Sequence, residues 1–157
     1  MANDVKFTLS GAEELRKRLL ALPRELQLKP GRSALGKAAS LVRRQAKINA
    51  ESIDDAETGR KIADNIIQRF RSRHYKRTGD LMISVGVGTE KGRIPKGNPD
   101  TGPKGNTPHW HLIELGTEVA KPEPFLVPAA QATAEQAINL FGTDLDKQIT
   151  KIVSKLK

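Results

Sequence analysis

The C-terminal part of the chain repeats apolar side chains every three or four positions, and this pattern constrains the fold more than any other feature. The repeating positions are Ala130, Ala134, Ala137, Phe141, Leu145, Ile149, Ile152 and Leu156. This spacing places all of these side chains on one face of an α-helix. The sequence therefore predicts a long amphipathic helix from about Val127 to the C-terminus, with Gly142 as a point of bending.

Two short motifs precede this helix. The first, residues 109–117, is a short apolar element that carries one carboxylate, Glu114, and stops at Gly116 and Thr117. A carboxylate among apolar side chains is costly unless an arginine or a backbone amide donates to it. We therefore expect Glu114 to make a structural ion pair or a subunit contact. Gly116 predicts either the end of a helix or a tight turn.

The second motif, residues 121–129, has prolines at positions 122, 124 and 128. Their rings restrict the backbone, so the segment presents Phe125 in a fixed pose. Phe125 is the expected buried anchor of the C-terminal helix. The candidate structural residues of the two motifs are Glu114, Gly116, Thr117, Pro124, Phe125 and Pro128.

The N-terminal half predicts a strand and two helices. Residues 5–9 alternate apolar and polar side chains, and Ser10 with Glu13 fits a capping box that opens a helix ending at Pro23. One face of this helix carries Leu15, Leu19 and Leu22. A turn at Pro30-Gly31 separates it from a second helix, which starts near Leu35 and ends near Ala50.

The middle of the chain predicts a β-hairpin. Residues 80–88 alternate with the period of two that is typical of a half-buried strand. Residues 65–71 fit a strand or a helix, and the neighbouring pattern favours a strand. We interpret 65–71 and 80–88 as two arms joined by a basic loop, residues 72–79. Glycines and prolines dominate residues 89–108, which predicts a long flexible loop.

These elements together predict one α+β domain over residues 1–157. It has a small antiparallel β-sheet with a long basic hairpin, and this sheet packs against N-terminal helices and a long C-terminal helix.

Positive charge is concentrated in the hairpin. The chain has a formal net charge of +9, and residues 60–77 hold seven basic groups against one acid. Such a segment is typical of a surface that faces nucleic acid, although a solvated charged hairpin explains it equally well. The candidate cations that face a DNA channel or a partner are Arg69, Arg71, Arg73, Lys76 and Arg77.

Several classes of chemistry find no support in the sequence. There is no cysteine, which excludes disulfides, thiolate zinc sites and cysteine nucleophiles, and suits a reducing cytoplasm. No secretion signal or membrane-spanning run is apparent.

His109 and His111 would share one face of a strand near Glu114, but structural histidines are favoured over a metal site. Residues 85–92 lack the ending of a phosphate-binding loop, and no nucleophile and base are paired. We therefore predict no enzyme and no cofactor.

A series of motifs resembles a known family. The matching residues are Thr58-Gly59 with Ile62 and Ile66, Val85-Gly86-Val87, His111 with Glu114-Leu115-Gly116-Thr117, and Pro122 with Pro124-Phe125-Leu126-Val127-Pro128-Ala129. Their order, followed by a long helix, resembles the gene-product-ten type family of tailed-phage neck or tail-completion proteins. The resemblance covers most of the chain, from the first helix onward.

The resemblance implies a non-enzymatic virion protein of the phage neck that completes the tail and joins it to the DNA-filled head. Its implied form is a homo-oligomeric ring, often sixfold, around the DNA channel. The implied partners are other neck proteins, the tail terminator or tail tube, and packaged DNA contacted non-specifically, with no membrane. Its implied location is the virion, after assembly in the host cytoplasm.

Two other functions remain open from the sequence alone. The basic segment also suits a sequence-independent DNA-binding protein, whose affinity would fall steeply with salt. A small metal-dependent hydrolase would require zinc held by His109 or His111.

Overall fold

The computed structural model describes residues 11–53, 61–88 and 107–156. Its elements in chain order are α1 (Ala12–Leu20), α2 (Arg24–Glu51), a 3₁₀ turn (Ile62–Asn65), β1 (Ile66–Phe70), α3 (Ser72–Thr78), β2 (Ile83–Val87), α4 (Trp110–Leu115) and α5 (Leu126–Leu156). The two strands pair into a small sheet. The α+β prediction, with N-terminal helices, a two-stranded antiparallel sheet and a long C-terminal helix, is confirmed. The predicted strand at 5–9 and most of the predicted loop at 89–108 lie outside the described residues.

The chain divides into two compact units. The described residues of unit 1 are 11–39, 70–83 and 134–156, and those of unit 2 are 40–53, 61–69, 84–88 and 107–133. Helices α2 and α5 each contribute residues to both units, so each unit joins segments that are distant in sequence.

Unit 1 is built around apolar side chains of three helices and of the connection between α1 and α2. Its buried cluster consists of Leu22, Ala34, Leu145 and Ile149, with Leu19, Leu26, Phe141 and Ile152 packed against it. At the surface, Arg18 of α1 pairs with Asp146 of α5 and donates to Thr150 Oγ1 at 3.0 Å. The predicted apolar face of the C-terminal helix thus supplies half of this core.

The predicted turn at Pro30-Gly31 is wrong, because α2 runs through both residues without a break. A proline inside a helix removes one backbone hydrogen bond. Here Leu26, Pro30 and Ala34 follow one another at intervals of four residues, so they share a face. Pro30 and Ala34 are fully buried and Leu26 packs on the core of unit 1. Burial of this continuous apolar face offsets the missing bond.

Unit 2 has a second core with contributions from every element that enters it. The buried residues are Ala46, Ala50, Ile62, Ala63, Ile66, Phe125 and Ala129, with Ile53, Val85, Val87, Trp110, Ile113 and Leu126 packed against them. The alanines come from α2, from the 3₁₀ turn and from the start of α5, and their small side chains allow close packing of neighbours. Phe125 is the largest of the fully buried side chains.

The sheet has a register fixed by hydrogen bonds at its two ends. Arg71 N donates to Met82 O at 2.9 Å, and Gly88 N donates to Asn65 O at 2.9 Å. Ile66 therefore lies opposite Val87, and Phe70 lies opposite Ile83. Since alternate residues of a strand point to opposite faces, Arg69 lies on the face away from Ile66 and Phe70.

The connection between the strands is a helix, so the predicted basic loop at 72–79 is wrong. Residues 72–78 contain neither glycine nor proline, and Gly79 with φ 81° ends the helix. Gly79 N donates to Tyr75 O at 2.8 Å, and the basic Lys76 and Arg77 lie in the last turn. Cations are favourable there because the carbonyl ends of the helix carry partial negative charge.

A polar network crosses unit 1 beside its core. Asp144 on α5 is almost fully buried, accepts from Lys37 on α2, and accepts from Gln148 Nε2 at 2.6 Å. Gln148 also donates to Ser33 Oγ at 2.8 Å. The hydrogen bond from Lys37 lowers the pKa of Asp144 below 3.8, against the opposing effect of burial, and Gln148 adds to the lowering.

We expect the network to make stability depend on pH. A lowered pKa in the folded state stabilises the fold above the unfolded pKa, and this contribution disappears as the pH falls through the folded pKa. Asp144→Asn should therefore cost about 1–2 kcal/mol at pH 7. The difference from wild type should shrink as the pH falls below 3.8 and disappear once the pH is below the lowered pKa of the folded state. Thermal unfolding across pH measures this. Asp146→Asn is the control, because its pair with Arg18 is more exposed and worth less. A pH-independent difference for Asp144→Asn would contradict the assignment.

Candidate functional site

Glu114 lies at the end of α4, where its carboxylate is buried and bonded to the start of α5. The residue is 7% exposed. Its Oε2 accepts from Phe125 N at 2.8 Å and Leu126 N at 3.0 Å, and its Oε1 accepts from Val127 N at 3.0 Å. The donors are backbone amides of a helix N-terminus, whose partial positive charge favours a carboxylate. Of the two kinds of donor that the sequence left open, the described residues supply backbone amides.

Pro128 completes this cap. The first four amides of an α-helix have no partner within the helix. In α5 the first three belong to Phe125, Leu126 and Val127, which Glu114 satisfies. The fourth position is Pro128, which has no amide hydrogen to satisfy. One carboxylate and one proline therefore account for the whole N-terminus of a 31-residue helix.

Phe125 is held by contacts on both its backbone groups. Its amide donates to Glu114, and its carbonyl accepts from Asn49 Nδ2 at 3.2 Å. The ring is completely buried in the core of unit 2. Pro124, the preceding residue, is exposed. The start of α5 is thus fixed to α4 by Glu114 and to α2 by Asn49.

Gly116 makes the turn after α4 possible. Its φ of 74° lies in a region that side-chain-bearing residues rarely adopt. A Cβ at this position would lie 2.8 Å from Pro122 N and 3.0 Å from Ala120 O. Thr117 then closes a tight turn, because its Oγ1 accepts from Ala120 N at 3.0 Å and its amide donates to Ala120 O at 2.9 Å. The chain returns to α4 where Glu123 N donates to Ile113 O at 2.8 Å.

We call residues 112–127 the capped corner. This segment exposes four large apolar side chains, with exposed fractions of 47% for Leu112, 75% for Leu115, 97% for Val119 and 55% for Val127. Leu112 and Leu115 share a face of α4, since they are three residues apart. Several large apolar side chains exposed on one short segment are typical of a protein contact surface.

The candidate cations do not form one group. On α3, Lys76 and Arg77 follow Arg73 by three and four residues, so the three side chains share one exposed face. We call these three the α3 cations. Arg71 precedes the helix and is exposed, whereas Arg69 is half-buried in β1 and belongs to unit 2.

Charge differs strongly between the two units. The described residues of unit 1 contain fourteen lysines and arginines against seven acidic residues, whereas those of unit 2 contain six against five. The sequence segment 60–77 had indicated part of this surplus. The structure adds the cations of α1, α2 and α5, which are spread along the sequence and therefore formed no visible run.

The histidines lie in a helical context, so the expectation that they share a strand face is wrong. Trp110 and Ile113 both pack on the core of unit 2, and their spacing of three suits a helix. On a helix, residues two apart point in different directions. His111 Nδ1 lies 2.9 Å from Pro108 O. Across residues 11–53, 61–88 and 107–156, no group of three potential ligands could hold a metal ion.

Asn65 is a structural residue that the sequence analysis missed. Its carbonyl accepts from Gly88 N at 2.9 Å, and its Nδ2 donates to Thr107 Oγ1 at 3.1 Å. Thr107 is fully buried. A polar residue between two apolar runs gave no signal of this role, because its partner is 42 positions away.

The comparisons with known proteins identify the family. The family model "Bacteriophage HK97-gp10, putative tail-component" matches residues 13–116, which is about two thirds of the chain. The chain belongs to the HK97-gp10-like family. The recognition made from the sequence motifs is confirmed. No curated protein and no solved structure matches the chain significantly.

Family membership makes this protein a structural component of a phage tail and thus of the virion. The family is not known as one of enzymes. The match includes Glu114 and ends at Gly116, so the second motif, residues 121–129, and α5 lie beyond it. None of the helices in the described part of the chain combines the length and apolar character needed to cross a membrane.

Removing the charge of Glu114 should destabilise the fold. A glutamine keeps the shape but turns an amide group towards backbone amides, which leaves buried donors unsatisfied. We expect Glu114→Gln to cost about 2–3 kcal/mol and to lower the melting temperature by roughly 5–10 °C. Glu118→Gln, at an exposed position of the same corner, should leave the melting temperature unchanged. Equal effects of the two substitutions would contradict the role of Glu114.

The glycine at position 116 should tolerate no side chain. Gly116→Ala adds a contact with the backbone of Pro122 to an unfavourable φ, so we expect a loss of about 3 kcal/mol. Gly79→Ala is a matched control, because its φ is 81° and nothing lies within 4 Å of the added Cβ. It should cost only about 1 kcal/mol. Urea unfolding of both variants measures the difference, and equal losses would show that the turn at Pro122 adjusts freely.

Proposed function

We propose that this tail component acts in the phage neck, where it forms a ring around the DNA channel, completes the tail and joins it to the filled head. The observation that carries the proposal is the capped corner, with four large apolar side chains exposed on a segment that is fixed by hydrogen bonds. Exposure of these four apolar side chains to water has no benefit for a protein that works only as a monomer.

The capped corner is suited to contact a second copy of this chain. Val119 is almost completely exposed. It lies in the turn between Thr117 and Ala120, which are joined by two hydrogen bonds. Because the turn is preformed, little conformational entropy is lost when a partner covers it. Repetition of one such contact around an axis gives a closed ring, with a hexamer as the expected form. Other faces of the ring remain for neighbouring neck proteins and the tail terminator or tail tube.

The cationic unit 1 is suited to contact packaged DNA. The α3 cations are exposed on one face, and unit 1 has twice as many basic as acidic residues among those described. Lysine and arginine side chains can contact phosphates without reading the base sequence. The same charge supports the second candidate, a sequence-independent DNA-binding protein. It differs from the first in that it binds DNA as a monomer or dimer.

Self-association should depend on the capped corner. We expect the purified protein to sediment as a multiple of its 17.2 kDa chain mass. The double variant Leu115→Ser, Val119→Ser should weaken the association at least tenfold, since each apolar side chain contributes about 1.5 kcal/mol or more when covered. Leu156→Ser, which is also well exposed on α5, is the control. A monomeric wild type, or association that the double variant leaves intact, would contradict the proposed contact.

Electron micrographs of particles made without this protein test the joining role. Full heads and finished tails left unjoined, or tails of abnormal length, are the expected result. Normal infectious particles would refute the proposal.

A further inference from the structure

A second cationic surface lies on the first half of α2, outside the hairpin that the sequence singled out. We infer that Lys29 and Arg32 bind backbone phosphates of DNA together with the α3 cations, and that Phe70 positions Arg32 for this contact. The inference rests on the proposed contact with packaged DNA and specifies its surface.

The guanidinium of Arg32 is held over an aromatic ring. Its Cζ lies 4.4 Å from the centroid of the Phe70 ring. This cation–π contact orients the side chain and leaves its donors available in a planar fork, which matches the geometry of phosphate. Arg32 remains exposed. A cation that is both exposed and oriented loses less entropy when an anion binds.

The same ring connects Arg32 to α3. Tyr75 of α3 packs on Phe70 with ring centroids 6.1 Å apart and an interplanar angle of 47°. Phe70 therefore contacts a cationic side chain of α2 and an aromatic side chain of α3. The α3 cations flank Tyr75 in sequence. All of these residues belong to unit 1, so the two cationic groups share one compact unit.

An open groove runs along α2 beside Arg32. Its lining residues are Glu25, Leu28, Lys29, Arg32, Ser33 and Gly36. Lys29 and Arg32 lie about one helical turn apart, and Glu25 is the only acid among the described residues that line the groove. An open groove with successive cations suits an extended polyanion, whereas a small ligand requires an enclosed pocket.

The surface is better suited to DNA than to an acidic protein. Protein interfaces have an apolar centre surrounded by polar groups. None of the large exposed hydrophobic residues found in the described chain lies in this groove or on α3. The exposed apolar side chains of the capped corner belong to unit 2. Leu28, the large apolar residue among the described lining of the groove, is half-buried. Unit 1 therefore offers exposed charge here without a large exposed apolar side chain at the centre.

Binding of a duplex DNA of random sequence, measured by fluorescence anisotropy at several salt concentrations, tests the inference on the full chain. For B-DNA, the slope of log K against log salt concentration changes by about 0.9 for each phosphate that the protein neutralises. We expect Arg32→Gln and Lys29→Gln each to make the slope shallower by this amount. Arg44→Gln removes one charge from an exposed position in unit 2, outside the capped corner, and should not change it.

The role of Phe70 requires a separate readout. Arg32→Lys keeps the charge but removes the planar stacking group, so the slope should be retained while the affinity falls several-fold. Phe70→Leu removes the ring and keeps every charge. If Phe70 positions Arg32, then Arg32→Gln should reduce the slope less in the Phe70→Leu background than in wild type. A purely structural effect of Phe70 would leave the reduction caused by Arg32→Gln unchanged, and that result would overturn the positioning role.

The outcomes separate this inference from the proposed function. If Lys76→Gln with Arg77→Gln reduces the slope while Arg32→Gln behaves like the control Arg44→Gln, the proposed phosphate contact of Lys29 and Arg32 is refuted and contact through α3 stands. If Arg32→Gln weakens binding to poly-L-glutamate but leaves DNA binding unchanged, the surface binds an acidic protein and the inference is overturned. A wild type without salt-sensitive DNA binding would refute both DNA contacts, while the electron micrographs would still decide the joining role.

Discussion

The carboxylate of Glu114 is the interaction on which the rest of unit 2 depends. A buried charge is tolerated only where donors surround it, and here three backbone amides at the start of α5 do so. The benefit is mutual, because the same bonds satisfy amides that would otherwise be buried without partners. This pairing brings Phe125 into the core and sets where α5 begins. The turn at Gly116 and Thr117 allows the chain to complete the pairing within a few residues.

Two surfaces of different character follow from this architecture. The capped corner exposes apolar side chains in unit 2, whereas unit 1 holds most of the excess positive charge. The proposed function requires contact with protein neighbours and with packaged DNA, and these two contacts require opposite surface properties. Helices α2 and α5 contribute to both units. Each of these two helices therefore contributes one part of its length to the core of unit 1 and another part to the core of unit 2.

The sequence predicted elements with strong periodicity and missed features that depend on contacts between distant residues. The apolar spacing along α5 and the alternation along β2 are local patterns of residues that pack on a core, so both elements were predicted correctly. Pro30 was misinterpreted because local propensity suggested a break, while the buried face of α2 continues through it. The helix α3 was missed because a short charged segment carries no apolar period. The sequence showed that Glu114 needed donors, but only the fold shows which amides approach it.

The bonds of Asn65 have a consequence for how this chain tolerates change in length. Asn65 accepts a hydrogen bond from Gly88 N, just after β2, and donates one to Thr107 Oγ1, ahead of α4. The residues on both sides of the intervening eighteen positions, 89–106, are therefore bonded to the same residue. These two bonds hold the sheet and α4 in place when the number of residues between Gly88 and Thr107 changes. Residues could be inserted or removed there without shifting the register of β1 and β2.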